Sequence, residues 1–451
     1  MHPHPSGVRT QTARRRGLSK APARATLYVR LYSSPRAGGR AVREPVYVLG
    51  GSQTDFARNW SKDSDNALYE MLEEAVAGCL DATGVAPEKV ETAHVANFGA
   101  ELFAAQAHLG AMVPMLQPSW SSLPTSRHEA ACASGSTAVL AAMAEIEAGR
   151  YDLALVAGLE LMRNVHSEQA ARHLGSAAWT REETGDDVLP WPGLFDRIAG
   201  EVERRHGLDR THLTRIAEIN RANARRNPLA QTRAWTNDAA QFGDDEVVNP
   251  VVAGRIRKSD CGRITDGAAV VLLASRRFAE QWARRRSAPQ AGVIRGWGHR
   301  TAPLPLAAKL ALSADGGYLF PNVRQAITDA YRRAGIDGPR ELDVIETHDC
   351  FTVNEYVALE HFGLTEPGRA WEAVEDGRIE FGGSLPVNPS GGLIGAGHPV
   401  GATGVRMLLD AHRQVTGTAG GYQVDGARTA ATLNIGGSCS TAVSFVVGAA
   451  E

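Results

Sequence analysis

The chain has 451 residues, 43% of them hydrophobic and 22% charged, and a formal charge of −2. That composition excludes a disordered protein and a small disulfide-stapled module, because the chain can both bury a core and solvate a surface. No apolar run approaches the roughly 18 residues of a membrane span. The five cysteines (Cys79, Cys132, Cys261, Cys350, Cys439) are odd in number and widely spaced, and they read as thiols of a reducing compartment.

The small net charge conceals two unlike pieces. Residues 1–43 hold ten Lys or Arg and no acid; subtracting that +10 from −2 leaves −12 for residues 44–451. The leading segment fits a disordered basic tail, an organelle transit peptide, or upstream sequence that is not translated. The whole chain favours Arg, with 43 Arg to 5 Lys, so Arg richness does not choose among these. The expected location is the cytoplasm, or the mitochondrial matrix if the segment is a transit peptide.

From Val46 onward the pattern is α/β. Val46-Tyr47-Val48-Leu49, ending in Gly50-Gly51, predicts a strand. Leu68, Leu72, Val76 and Leu80 then recur at helical spacing over 68–82, and Gly84 closes the helix. Leu153 to Gly158 is a short glycine-bounded apolar run, the signature of a buried parallel strand. Residues 163–258 are polar, rich in Arg and Asn and broken by prolines, with a helix over 211–226, and read as an inserted subdomain. Ala268–Ala274 and Thr441–Gly448 predict further buried strands. A helix followed by Gly84-Val85-Ala86-Pro87 recurs as Gly335-Ile336-Asp337-Gly338-Pro339, each copy running into an extended stretch. A repeat this long is no solenoid; it predicts two similar α/β halves in packed layers.

Four windows carry chemistry. In the first, small residues crowd Cys132 in Ala130-Ala131-Cys132-Ala133-Ser134-Gly135, just before a predicted helix running through Ile146. A helix N-terminus stabilises a thiolate, although a small core hydrophobe is the alternative. In the second, Gly391-Gly392-Leu393-Ile394-Gly395-Ala396-Gly397-His398-Pro399 surrounds one histidine with glycine and alanine. Such a loop lets backbone approach a ligand, and His398 suits a base that activates a thiol. The Lys-Ser/Thr ending of a phosphate-binding loop is absent.

In the third window, Glu346-Thr347-His348-Asp349-Cys350-Phe351 leaves a strand, and an extended stretch turns His348 and Cys350 to one side. Zinc is the competing idea, but no Cys-x-x-Cys accompanies them. The fourth, Leu433-Asn434-Ile435-Gly436-Gly437-Ser438-Cys439, is a strand entering a glycine turn whose backbone N–H groups could form an oxyanion hole.

These windows, in this order, resemble the thiolase family over nearly all of the chain from Val46. The resemblance implies two βαβαβαββ halves in a five-layer α-β-α-β-α fold with a loop domain inserted in the first half. The expected divisions are 1–43 (tail), 44–285 (N-terminal half, with the loop domain about 163–258) and 286–451 (C-terminal half). Cys132 would be the acyl-accepting nucleophile and His398 its base. Two departures matter. His348-Asp349-Cys350-Phe351 stands where many thiolases have Asn-Glu-Ala-Phe, and Asn434-Ile435-Gly436 where most have a catalytic Cys-x-Gly. The paired change resembles the sterol-carrier-type thiolases, so the acid/base task would fall to Cys350 and not Cys439. His348 would polarise the substrate oxygen, and the N–H groups of Cys132 and Gly436 would hold an oxyanion. No fused sterol-carrier domain is expected after the last strand.

The resemblance implies an acyl-CoA C-acyltransferase, cleaving 3-ketoacyl-CoA as in fatty-acid degradation or condensing acyl-CoAs, through an acyl-Cys132 intermediate. CoA and acyl-CoA are the substrates; no cofactor, metal or nucleic acid is expected, and a homodimer or homotetramer is. Arg221, Arg225, Arg226 and Asn434 are candidates for binding CoA, with Arg204 and Arg205 on the same Arg-rich segment. Two rivals are a thiolase-like aldolase or condensing enzyme and a non-catalytic acyl-CoA or lipid-binding protein.

Overall fold

The computed structural model describes residues 44–184, 189–285, 290–314 and 316–450; the basic segment 1–43 lies outside them. Strands β1 (Val46–Gln53), β2 (Thr92–Ala96), β3 (Thr125–His128) and β4 (Leu153–Glu160) come first. A short ribbon, β5 (Val251–Ala253) and β6 (Ile256–Arg257), precedes β7 (Gly267–Ala274) and β8 (Gly292–Thr301). The chain ends with β9 (Val344–Thr347), β10 (Thr429–Gly436) and β11 (Thr441–Ala449). The principal helices are α1 (Ala67–Thr83), α2 (Ser134–Glu147), α3 (Ser167–Gly175), α4 (Pro190–His206) and α5 (Arg210–Ala224). After β8 follow α6 (Pro321–Ala334), α7 (Thr352–Phe362), α8 (Gly392–Ala396) and α9 (Thr403–Val415).

Nine strands form one ladder in the order β3-β2-β4-β7-β1-β8-β11-β10-β9. Its two ends repeat one design. β2 runs parallel to β4, then β7 and β1 follow antiparallel; β9 runs parallel to β10, then β11 and β8 follow antiparallel. Only the short pairing of Val46, Tyr47 and Val48 with Ile294, Val293 and Gly292 joins them. The helix–glycine repeat in the sequence is therefore structural. Gly84 and Gly335 both end a helix in the left-handed region, at φ 56° and 73°, as a C-terminal cap requires, and each then leads into a buried parallel strand.

The core falls into layers. Leu72 and Val76 of α1 pack on Leu155 and Val270 at one outer face. Val139 of α2 and Val405 and Leu408 of α9 fill the centre, against Val156 and Val271 on one side and Val443 and Phe445 on the other. Val323 and Ile327 of α6, with α7, cover the remaining face. Helix, strand, helix, strand, helix is the thiolase layering. The segment between β4 and β7 is polar in composition, yet Leu194, Ile198, Leu213 and Ile216 of α4 and α5 bury with Val353 and Tyr356 of α7. It thus packs on the half of the chain that follows it.

Candidate active site

Cys132 lies between the end of β3 and the start of α2. Ala131, at φ 52°, takes the left-handed conformation that side chains avoid. Ser134 pins this turn: its hydroxyl accepts the Ala130 N–H at 2.9 Å and donates to the Ala131 carbonyl at 2.6 Å. Two close approaches demand glycine here. A Cβ at Gly135 would stand 2.7 Å from the Val405 nitrogen, and one at Gly436 would stand 2.2 Å from the Ala130 carbonyl oxygen. The N-termini of α2 and α9 and the end of β10 therefore meet around Cys132.

Each ring nitrogen beside it has an assigned role. The His398 backbone N–H donates to Thr265 Oγ1 at 2.9 Å, and the ring Nδ1 lies 2.7 Å from Thr403 Oγ1. The Thr403 hydroxyl already donates to the Pro399 carbonyl at 2.9 Å. Thr403 must then accept from Nδ1–H, which leaves His398 Nε2 bare as a proton acceptor. His348 is set the opposite way. Its Nδ1 faces the Ile435 backbone N–H at 3.4 Å and Asn434 Nδ2 at 3.2 Å, both donors. The His348 proton therefore sits on Nε2 as a donor. The two rings meet edge to face at 90°, with centroids 5.2 Å apart. Cys132 Sγ and one nitrogen of each histidine lie within 4.8 Å of one another. The same three atoms could hold a metal ion, but an ion there would occupy the thiol and the free base together.

Burial sets the charge states. It pushes the Cys132 thiol up to about 12, opposed mainly by the Gly437 backbone N–H. Burial, assisted by the nearby Arg406 charge, lowers His398 to about 3, and burial with the His398 and Arg406 charges holds His348 well below its usual range. Both rings are neutral across ordinary pH. Cys350 is raised well above 9, first by burial and then by the neighbouring Cys132, Cys439 and Asp349. A neutral thiol beside a neutral base and a neutral N–H donor suits proton transfer coupled to attack.

Cys132, Cys350 and His398 line one cavity, with Gly437 at its edge. Other predicted residues fall elsewhere. Gly436 contacts the Cys132 turn, but the N–H that reaches the sulfur belongs to Gly437. Asn434 is buried and bonds protein groups, donating to the Cys132 carbonyl at 3.0 Å as well as to His348. It braces the turn that carries Cys132. Arg225 is exposed, and Arg226 stacks over Phe381 with its guanidinium carbon 4.1 Å from the ring centroid. Arg204 and Arg205 pair with Glu201. Arg221 alone of this set enters a cavity, a second one it shares with Trp235, Lys258 and Arg263. Its guanidinium carbon lies 4.9 Å from the Trp235 centroid, and burial with the nearby Arg263 charge lowers it to about 10. Cys439 is buried at φ 63°, with its thiol directed to Asn354 Oδ1 at 3.5 Å.

Two carboxylates escaped the sequence reading. Asp349 accepts the N–H groups of Leu393 and Ile394 at the start of α8 and the Asn220 amide at 2.9 Å. It ties the strand exit bearing His348 and Cys350 to the loop bearing His398. The visible signal was an acid placed between those two residues. Glu160, at the end of β4, accepts the N–H groups of Phe98, Gly99 and Gly401 and the Asn97 amide, at 2.9–3.0 Å. Burial pushes it up to about 7 against those donors. It anchors the loop just after His398.

Known proteins match this arrangement. Residues 46–277 match the description "Thiolase, N-terminal domain", and residues 307–449 match "Thiolase C-terminal domain-like". The chain belongs to the thiolase family. It is 31% identical over 407 residues to an acetyl-CoA acetyltransferase of Methanothermobacter thermautotrophicus, covering 88% of this chain and 97% of that protein. It is 28% identical over 419 residues to sterol carrier protein 2 of Gallus gallus, covering 89% of this thiolase and 71% of that protein. Among solved structures, the Ltp2-ChsH2(DUF35) aldolase superposes with a TM-score of 0.70 at 19% identity, covering 91% of this chain and 99% of that one. Human mitochondrial 3-ketoacyl-CoA thiolase in complex with CoA gives 0.67 at 15% identity, covering 91% and 99%. These two share the fold. Together with the acetyltransferase relatives, the family match makes this thiolase an acyl-CoA C-acyltransferase of sterol-carrier type.

Proposed function

We propose that Cys132, His398, His348 and Cys350 perform the acyltransfer by a ping-pong route through acyl-Cys132. The observation that supports this most is the convergence of the Cys132 sulfur with the two histidine nitrogens within 4.8 Å, beside Cys350 in one cavity. His398 Nε2 takes the Cys132 proton as sulfur attacks the C3 ketone of a 3-ketoacyl-CoA. The N–H groups of Cys132 and Gly437, in place of Gly436, receive the new oxyanion. The C2–C3 bond breaks, and its electron pair passes to the acetyl-CoA enolate, whose oxygen accepts from His348 Nε2–H. The Cys350 thiol protonates C2. Its thiolate then deprotonates incoming CoA, which attacks acyl-Cys132 and releases acyl-CoA; the cysteine sulfur recovers its proton from His398. Condensation is the same sequence reversed.

Arg221, Lys258 and Arg263, around the second cavity, suit the phosphates of CoA, since a body near −12 draws a polyanion by local cations and not by its whole field. The divisions 44–285 and 286–451, with the loop domain about 163–258, are proposed to act as one catalytic body, assembled as a homodimer or homotetramer; light scattering on the purified chain tests the number. Five free thiols support a reducing compartment such as the cytoplasm.

The test is a pair of variants. Cys350→Ala should abolish turnover while still accepting an acyl group, and Cys439→Ala should retain most activity. The opposite pattern would transfer the acid/base role to Cys439. Retro-aldol cleavage that survives Cys132→Ala would instead favour an aldolase.

A further inference from the structure

The cavity at Cys132 is predominantly apolar. It has a volume of about 270 Å³ and opens on Cys132, His398 and Cys350. Its apolar lining includes Met162, Ala171, Leu174, Trp191, Phe195 and Val400. Phe195 stacks on Phe351 with centroids 4.2 Å apart, giving a packed floor directly after Cys350. The one polar atom Trp191 has on its side chain is turned out of the space, donating to the Leu174 carbonyl at 2.9 Å. Apart from Ser167 and the catalytic side chains, the polar lining is confined to Lys258 and Arg263, the residues shared with the second, cationic cavity.

This polarity divides the occupants. The pantetheine arm of CoA carries two amides, which cost free energy to bury without partners, so its path belongs at the Lys258–Arg263 end. The hydrocarbon end offers such an arm nothing. An acetyl group on Cys132 would leave most of the space to water that has too few polar partners to be held there.

We propose that the acyl group carried on Cys132 is an unfunctionalised hydrocarbon chain of medium length, longer than acetyl, that fills the apolar end of this cavity. The preferred cleavage substrate is then a medium-chain 3-ketoacyl-CoA and not acetoacetyl-CoA, and the residues that select it are Ala171, Leu174 and Trp191. The proposal rests on Cys132 being the acyl carrier.

The full chain is assayed for CoA-dependent cleavage of straight-chain 3-ketoacyl-CoAs from acetoacetyl to 3-ketododecanoyl, reading kcat/KM. It should rise about fourfold per added methylene up to the 3-ketooctanoyl or 3-ketodecanoyl ester and then fall. Ala171→Phe, which puts a ring into the chamber, should lower the ratio of 3-ketodecanoyl to acetoacetyl activity about tenfold. Leu174→Trp is the second filling variant. A wild-type profile that is flat, or falls from acetoacetyl-CoA, overturns the proposal whatever the variants do, and so does a ratio that neither folded variant moves. If no ester leaves an acyl adduct on Cys132, it is the catalytic reading that fails.

Discussion

Around His348 and His398 the protein concentrates buried polar groups, most of them hydrogen-bonded to one another. Thr265 holds the His398 backbone and Thr403 its ring, while Asn434 and Ile435 hold the His348 ring. Beneath them Arg406 is buried between Asp410, Ser390 and Glu346. A few residues away, Leu174, Trp191 and Phe195 present only hydrocarbon to the same cavity. The first region comes from strand ends and the turns that follow them; the second comes mainly from the segment inserted between β4 and β7. The contrast separates two tasks. Proton transfer needs atoms held in one geometry by satisfied hydrogen bonds, whereas acyl selection needs volume and an absence of polar groups. Damage to the first should remove rate, and damage to the second should redirect it.

The largest break is Cys132→Ala, which should lower kcat by about 10⁴-fold or more in steady-state assays, as loss of a covalent nucleophile does. Turnover close to wild type would abolish the distinction drawn here. Next is His398→Ala, expected to cost about 10²–10⁴-fold, with the loss appearing equally for short and long acyl esters. Asp349→Asn should come third. Its amide would oppose N–H donors, leaving a buried group unsatisfied at about 1–3 kcal/mol, and because α8 carries the consequence to His398, both thermal stability and kcat should fall. An unchanged melting temperature would show that Asp349 does not hold α8.

The smallest effect is on stability against pH. Burial lowers His361 to about 4 and His398 and His412 to about 3. Unfolded histidines take up protons near 6.5 that these buried ones refuse, so the stability they contribute is present above pH 6.5 and declines as pH falls toward 3. Chemical denaturation between pH 7 and 5 should show that decline, and His412→Gln, far from the chemistry, should flatten it slightly.

Much of this was legible in the sequence, for identifiable reasons. β7 is an unbroken apolar run, and β4 and β11 are largely apolar, because both faces are buried. α1 shows its buried stripe at Leu68, Leu72, Val76 and Leu80, and stops at Gly84. Cys132, His398 and the pair His348 and Cys350 lie in three separate windows, and the fold brings them close together. Other features depend on tertiary placement. The burial that raises the Cys132 thiol depends on what the fold packs around it. Asp349 reads as a motif neighbour until α8 is seen to start on its carboxylate. Arg225 and Arg226 share an Arg-rich stretch with Arg221, but helix phase and the end of α5 at Ala224 send only Arg221 inward. The insertion is polar in composition, yet α4 and α5 each bury an apolar face, Leu194 and Ile198 on one and Leu213 and Ile216 on the other.

The central claim is tested most directly by peptide-level mass spectrometry after mixing the protein with an acyl-CoA in the absence of free CoA. The predicted result is one acyl mass on the Cys132 peptide, discharged by added CoA and absent in Cys132→Ala. An acyl mass on Cys350 or Cys439 instead, or full turnover with no acyl mass on Cys132, would contradict it.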